Sequence, residues 1–518
     1  MATTVDTARG ASNGDGQTIE PDLDLGPMDR RIFVVAVALF IVLMGFSGHY
    51  GFHRDELYFL DCARHLAASY VDQPVLTPLL ARFSLWVFGV SLTGLRMWPA
   101  LAGAGTVILA GLLAREFGGK RTAQLLGAVG AATNFAVLGA AHLFGPTIFD
   151  LFFWTALAFL IVRMGRTGDP RLWIPAGIVL GVGLANKHNI GLFALTLLIG
   201  IVVSGAGRQL ANRWVLVGAV IAAAFAVPDV WWQATHHWPT IEMTHRLNQE
   251  NGGIANIGTW IVGQLFEVTL ALAWVWVVGI RYLWRSDRPL WRALVWAYGL
   301  LFVLFALTTG GKVYYLAGAY IYFLAGGAVS IEHWLDARSV RLRRLLALTV
   351  LTTVLSLPIV LPMFPAADIG WTYGADQNLG ETVGWPELVQ TVSTVWHSLP
   401  TDQRSHAVIF TADYGEAGAI NELGRSAGLP TAVSGQNNEW FWGPGNPHAT
   451  TVVAVAPGPV DVTGYADFLS KYFTNVDVVA TIGNKAGIRN QEWNGHVYVC
   501  TGLRRPWGRT WASLQKFD

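Results

Sequence analysis

Asp55 and Glu56 stand side by side, and a third carboxylate follows at Asp72, between Tyr70-Val71 and Gln73-Pro74. Carboxylates gathered on one short stretch have two uses. They take a proton from an attacking hydroxyl, or they ligate a divalent cation. Arg54 directly precedes Asp55, and a guanidinium beside a carboxylate lowers its pKa. That weakens a base unless Arg54 is directed at another anion, and the residues alone leave both readings open. Pro74 and Pro78 fix the backbone after Asp72, so this carboxylate is held in place.

The elements around these residues follow from periodicity. Leu57, Leu60, Ala63, Leu66/Ala67 and Tyr70 fall at helical spacing, with Asp61, Arg64, His65 and Ala68 on the other face. This pattern predicts a helix lying in the membrane interface, with Asp55 and Glu56 at its N-terminus, where the helix dipole favours a carboxylate. Cys62 falls on its apolar side, which predicts that Cys62 and Cys500 stay unpaired although an outer location permits a disulfide.

The chain as a whole is 53% hydrophobic and 13% charged over 518 residues. A soluble protein carries roughly a quarter charged residues, so a water-soluble globule is excluded. The aliphatic and aromatic content excludes a disordered chain, and two cysteines exclude a disulfide scaffold. A net charge of +1 gives no sign of a nucleic-acid partner. Residues 1–29 lack an apolar run and read as a disordered cytoplasmic tail. About eleven transmembrane segments follow, near 31–50, 93–114, 122–140, 146–163, 172–186, 189–205, 214–232, 259–280, 291–309, 313–332 and 345–363.

Basic residues concentrate in alternate connections, as in Arg115/Lys120/Arg121, Arg163/Arg166/Arg171 and Arg281/Arg285/Arg288/Arg292. The positive-inside rule makes these connections and the N-terminus cytoplasmic. The opposite loops collect Asp55, Glu56, Asp61, Asp72, Asp150 and Asp229 together with His53, His65, His188, His236 and His237. Ionisable groups near membrane depth are costly and tend to mark function. An odd number of spans places everything after residue 364 outside. There, strands at Val408–Thr411, Thr451–Ala456, Val476–Ile482 and His496–Thr501 alternate with helices, predicting a small α/β domain over residues 365–518. The membrane domain then covers 30–364, and the fold class is mostly α.

The string Phe52-His53-Arg54-Asp55-Glu56-Leu57-Tyr58-Phe59, with Tyr70-Val71-Asp72-Gln73-Pro74, resembles the bacterial glycosyltransferase family 39 pattern. Pro146-Thr147-Ile148-Phe149-Asp150, Gly183-Leu184-Ala185-Asn186-Lys187, Trp232–Thr240, Gly311-Lys312-Val313-Tyr314-Tyr315 and Tyr414–Ala419 extend the likeness over nearly the whole chain beyond residue 30. These are polytopic GT-C-fold enzymes related to protein O-mannosyltransferases and lipid A aminoarabinose transferases. The resemblance implies an inverting transfer of a sugar from polyprenyl phosphate to an acceptor hydroxyl of a glycan, lipid or protein. The transfer would take place on the outer face of the bacterial cytoplasmic membrane. It implies Asp55 as the base, with Glu56 as the alternative. The leaving lipid phosphate calls for cations, for which Lys187, Arg246 and Lys312 are the candidates. Asp72 takes the place of the second acidic residue, Asp150 would orient Lys187 or the sugar, and Tyr315 would line the donor site. Related transferases carry a Lys directly after that second acid; Gln73 stands here and shifts the phosphate contact toward Lys187 and Lys312.

No cofactor is required by this reading, although Asp72 with His236 or His237 would admit a divalent metal ion. Two other classes compete. A secondary transporter should show paired repeats and midplane carboxylates, and of the latter only Glu267 is a candidate. A non-catalytic glycan-binding or assembly protein would use Trp440-Phe441-Trp442 as a stacking platform.

Overall fold

The computed structural model describes residues 25–251, 254–308, 313–336, 340–374, 376–458 and 462–517. The membrane part is built from α1 (Arg31–Phe46), α2 (Arg54–Arg64), α3 (Leu76–Phe88), α4 (Leu92–Glu116), α5 (Arg121–Ala132), α6 (Phe135–His142), α7 (Pro146–Thr167) and α8 (Trp173–Leu184). It continues through α9 (Asn189–Ile201), α10 (Arg213–Thr235), α11 (Pro239–Asn251), α12 (Ile254–Glu267), α13 (Ala273–Trp284), α14 (Pro289–Thr308), α15 (Ala317–Asp336) and α16 (Val340–Ser356).

Among the described residues, seven helices are long and apolar enough to cross a bilayer, and two bent pairs bring this to nine if each pair is one span. The bent pairs are α5 with α6, at 54°, and the helix ending at Glu267 with the following segment to Trp284, at 80°. The other two expected spans coincide with shorter apolar helices at Arg31–Phe46 and Pro170–Leu184. The protein is therefore a multi-pass membrane protein with a helical count that depends on how the broken segments are taken. One apolar helix, α3, was not expected as an element; it lies directly after Asp72.

α4, α5, α7 and α15 pack on one another at the centre of the bundle. α8 meets α10 so closely that a Cβ on Gly177 would lie 2.3 Å from the Gly218 carbonyl oxygen, so both positions demand glycine. Such small-residue contacts are how helices associate where no hydrophobic force separates them from lipid. α10 and α16 leave Leu216, Val220, Val227, Leu348, Leu351 and Leu355 uncovered, as lipid-facing helices do. The expected disordered tail lies outside the described residues as far as residue 24, and residues 25–29 are in part held by the bundle. The Asp29 N–H donates to Gln124 Oε1 at 2.8 Å, and the Gly26 carbonyl accepts from Arg115 Nε at 3.0 Å.

Beyond the bundle stand α17 (Trp385–Ser398), α18 (Thr401–Ser405), α19 (Tyr414–Leu423), α20 (Asn437–Phe441), α21 (Val462–Ser470) and α22 (Trp507–Thr510). They accompany β1 (Ala407–Thr411), β2 (Val433–Ser434), β3 (Thr451–Ala456), β4 (Phe473–Thr481) and β5 (His496–Leu503), ordered β2-β1-β3-β5-β4. β1 pairs parallel with β2 and β3, while β5 pairs antiparallel with β3 and β4. β1 and β3 are buried along their whole length, which explains their unbroken apolar runs. The expected strands and α/β character are present.

The interfacial helix requires correction. α2 stops at Arg64 rather than reaching Tyr70, and Glu56 through Ala63 are all buried. Asp61 on its polar face is buried because α19 of the C-terminal domain packs on α2, while Arg64 stays partly exposed and His65 exposed. Asn421 Nδ2 donates to Asp61 Oδ2 at 2.7 Å, and Arg64 Nη2 to Glu422 Oε2 at 2.7 Å. A polar face that finds partners in another part of the chain is buried as readily as an apolar one.

Candidate active site

The start of α2 is locked by a reciprocal cap. His53 Nδ1 accepts from the Asp55 N–H at 3.1 Å, and Glu56 Oε2 accepts from the His53 N–H at 2.8 Å. The cap turns the two neighbouring carboxylates in opposite directions. Glu56 is fully buried and receives Arg96 Nε at 2.9 Å, Arg96 Nη2 at 2.8 Å and the Phe144 N–H at 2.8 Å. Every acceptor direction is taken and the side chain is not part of the lining of the cavity that Asp55 faces, so Glu56 is corrected from alternative base to framework residue.

Asp55 lies 40% exposed on the wall of a cavity of about 320 Å³. Its lining includes the apolar side chains of Phe135, Ala136, Leu143, Phe266, Ile359 and Val360. It also includes the polar side chains of His53, Asp55, Thr147, Glu267, Asp376 and Asn378. Asp55 Oδ1 accepts the Tyr414 hydroxyl at 2.9 Å, and Arg54 Nε lies 3.5 Å away. Oδ2 carries no hydrogen bond among the described residues. Burial pushes the Asp55 carboxyl up, but His53, Arg54 and the Tyr414 hydroxyl together outweigh it and hold it below the ordinary value. The Arg–Asp effect expected from sequence is therefore present, although Arg54 also bonds Gln491 and lies 5.5 Å from the Tyr414 ring centre.

Asp72 is brought to the same place. Its Oδ1 accepts the Tyr58 hydroxyl at 2.8 Å, and the Tyr58 and Tyr414 rings lie 4.6 Å apart. Burial, with the Asp55 charge as a smaller cause, pushes its carboxyl up to about 6. Two carboxylates with opposite shifts thus face one another through two tyrosines. The hairpin bearing Asp72 is fixed from outside: Gln233 Nε2 donates to the Tyr70 carbonyl at 2.9 Å, Thr240 Oγ1 to the Val71 carbonyl at 2.6 Å, and the Val71 N–H to Asn438 Oδ1 at 2.6 Å.

Lys187 stands behind the cavity wall, its Nζ 3.5 Å from Thr147 Oγ1 and 4.8 Å and 5.2 Å from the Tyr314 and Tyr315 ring centres. Thr147 and Tyr314 both line the cavity. Asp150 accepts from Asn189 Nδ2 at 3.1 Å, and the Tyr315 carbonyl accepts from the same amide at 2.9 Å. Tyr315 therefore supports Lys187, while its neighbour Tyr314 faces the cavity. Lys312 lies outside the described residues.

Two expectations are corrected. Arg246 is half-buried on α11, pairs with Glu242, one turn earlier, at 2.6 Å, and does not line the cavity that Asp55 faces. The metal set does not assemble: among the described residues no three His, Cys, Asp or Glu side chains are gathered to hold an ion. His236 stacks on Trp232 at 4.1 Å with Nδ1 2.8 Å from the Trp232 carbonyl, and His237 occupies a left-handed backbone position at φ 65°. The aromatic platform is likewise engaged. Trp440 Nε1 donates to the Trp511 carbonyl, Phe441 stacks on Phe517, and Trp442 stacks on His65. Cys62 and Cys500 are buried and unpaired, as expected.

Sequence reasoning missed Tyr58, Tyr414, Gln491 and Asp376. The first two lie inside the strings Phe52–Phe59 and Tyr414–Ala419, where an aromatic at helical spacing reads as core. Gln491 and Asp376 lie in irregular segments, where spacing carries no signal.

A helical membrane bundle with broken spans and an appended small α/β domain is the architecture of the GT-C fold, and this chain has it. Residues 72–232 match the family model described as dolichyl-phosphate-mannose-protein mannosyltransferase. The structure is similar to ArnT from Cupriavidus metallidurans in the apo state, with TM-score 0.60 at 15% identity, covering 90% of this chain and 97% of that one. The same enzyme bound to undecaprenyl phosphate gives TM-score 0.59 at the same identity and coverage. The arabinofuranosyltransferase AftD from Mycobacteria gives TM-score 0.52 at 13% identity, covering 93% of this chain and 40% of that one. No curated protein matches the sequence.

Proposed function

We propose that this protein is an inverting glycosyltransferase that moves a sugar from a polyprenyl-phosphate donor to an acceptor hydroxyl. The observation that carries this reading is Asp55, partly exposed and with Oδ2 unengaged among the described residues, on a cavity lined by both apolar and polar side chains. Apolar lining suits a prenyl chain, and polar lining suits a phosphosugar head. The acceptor hydroxyl gives its proton to Asp55 Oδ2 as its oxygen bonds the anomeric carbon. The bond from that carbon to the phosphate oxygen breaks, and the lipid phosphate leaves with the electron pair. Its developing charge is met by Lys187, reached past Thr147. A base held below the ordinary carboxylate range is ionised throughout the physiological range and needs no activation. The site lies on the outer face of a bacterial cytoplasmic membrane, with the N-terminus cytoplasmic and residues 365–518 outside. The distribution of basic residues among the connections supports this orientation.

Deleting the gene and following the lipid-linked sugars by mass spectrometry identifies the donor. Restoring Asp55→Asn on a plasmid should leave that sugar accumulated, with transfer in isolated membranes reduced about 10²- to 10⁴-fold at unchanged protein level. Wild-type transfer by Asp55→Asn would overturn the assignment.

A further inference from the structure

The outer domain reaches the reacting centre at one point. Tyr414 begins α19, at the C-terminal end of the parallel strand β1 where α/β sheets commonly place functional groups, and its hydroxyl meets Asp55 Oδ1 at 2.9 Å. We propose that Tyr414 is a positioning residue for the base: the outer domain completes the active site by engaging one oxygen of Asp55 and leaving Oδ2 directed at the acceptor hydroxyl. This rests on the glycosyltransferase reading and adds to it a part for the outer domain.

Three observations support it. Tyr414 cannot shift easily, since its ring is wedged between Tyr58, at 4.6 Å, and Arg54, at 5.5 Å. The helix behind it is seated on α2 at van der Waals range. A Cβ on Gly415 would lie 2.1 Å from Arg54 Cγ, and one on Gly418 would lie 2.8 Å from the Leu57 backbone. The turn leading into Tyr414 is capped twice, with Asp413 Oδ1 accepting from the Gly415 N–H at 2.6 Å and Glu416 Oε2 from the Asp413 N–H at 3.2 Å. A hydroxyl held this rigidly fixes the carboxylate it bonds, and a base held in one orientation gains rate without gaining basicity.

The groups facing Asp55 set what a titration would read. His53 and Arg54 belong to its own helix, and Asp72 comes from the following hairpin. Tyr314, Glu267 and Asp376 face it across the cavity, and Asp413 with Tyr414 comes from the outer domain. Of these, Tyr414 and Arg54 make the direct contacts. Removing the hydroxyl takes away a bond to the charged form, so the Asp55 carboxyl should rise.

The test is Tyr414→Phe in the full-length protein, which keeps the ring and its stacking. A water-soluble carbodiimide labels protonated carboxyls, and the pH midpoint of Asp55 labelling is read by peptide mass spectrometry. The midpoint should move to higher pH in the variant. In the deletion strain, Tyr414→Phe should clear the accumulated lipid-linked sugar at least tenfold more slowly than wild type, at equal protein level. An unmoved midpoint would overturn the proposal, whether clearance is normal or slowed, because a slowed rate alone is what lost packing would give. Asp55→Asn in the same strain separates the two readings. If it clears the sugar, the glycosyltransferase assignment of the base fails; if it does not and Tyr414→Phe behaves as wild type, only the positioning role fails.

Discussion

The two ends of the helical bundle treat their carboxylates differently. At the end bearing the arginine-rich connections, Glu116 is held by Arg163 at 3.3 Å and Arg166 at 2.6 Å. Glu332 there accepts the Lys120 and Ala123 N–H groups at 2.7 and 2.9 Å, and Asp29 binds Arg31 at 2.7 Å. At the opposite end, Asp55 and Asp72 each accept one tyrosine hydroxyl, and Asp55 lines a cavity. Carboxylates whose lone pairs are filled are framework; those left partly open are able to take a proton. Glu56 lies at the second end and belongs by this criterion to the first group, one residue from Asp55.

The sharpest way to break that comparison is at Glu56. Glu56→Ala leaves Arg96 charged, buried and without its carboxylate, which should cost about 3–5 kcal/mol of stability. Thermal unfolding in detergent should show a large loss for Glu56→Ala and little for Asp55→Asn. Equal losses would remove the distinction between the two carboxylates.

A smaller effect should appear with pH. Burial raises the carboxyls along the seam between α2 and the C-terminal domain: Asp61 against Glu439, Glu416 against Glu492, Asp413, and Asp72 to about 6. A carboxyl whose pKa is raised on folding binds its proton more tightly in the folded chain, so its contribution is complete below the unfolded value. That contribution is lost as pH rises through the folded value. Asp55 and Asp29 are lowered and act oppositely, but their contribution is already gained below the ordinary carboxylate value of 3.8 and does not oppose the loss above it. The unfolding temperature should fall between pH 5 and pH 8, and Asp61→Asn should flatten the fall. A rising temperature over that range would show that the seam is not protonated.

The smallest effect is expected at Arg246. Its pair with Glu242 is exposed, so Arg246→Ala should change stability by under about 0.5 kcal/mol and leave the clearance of lipid-linked sugar unchanged. A clear loss of transfer would return Arg246 to the site.

Several features were legible in the residues themselves. Apolar runs of bilayer length, the placement of arginine in alternate connections, and the short apolar strands of the C-terminal domain are local patterns, and local patterns fix element type. The pairing of Asp55 with Asp72 as one site was also readable, because both lie on one short loop. What the tertiary structure alone decided was the surroundings of each charge. Adjacent residues on a helix point about 100° apart, so Asp55 and Glu56 read alike in the sequence and meet opposite environments once α2 is capped by His53. Arg246 and Lys187 are equally basic in the sequence, yet one finds a glutamate one turn away and the other a cavity wall. Tyr414 lies 359 residues from the carboxylate it bonds, a separation over which spacing carries no information and only folding brings the partners together.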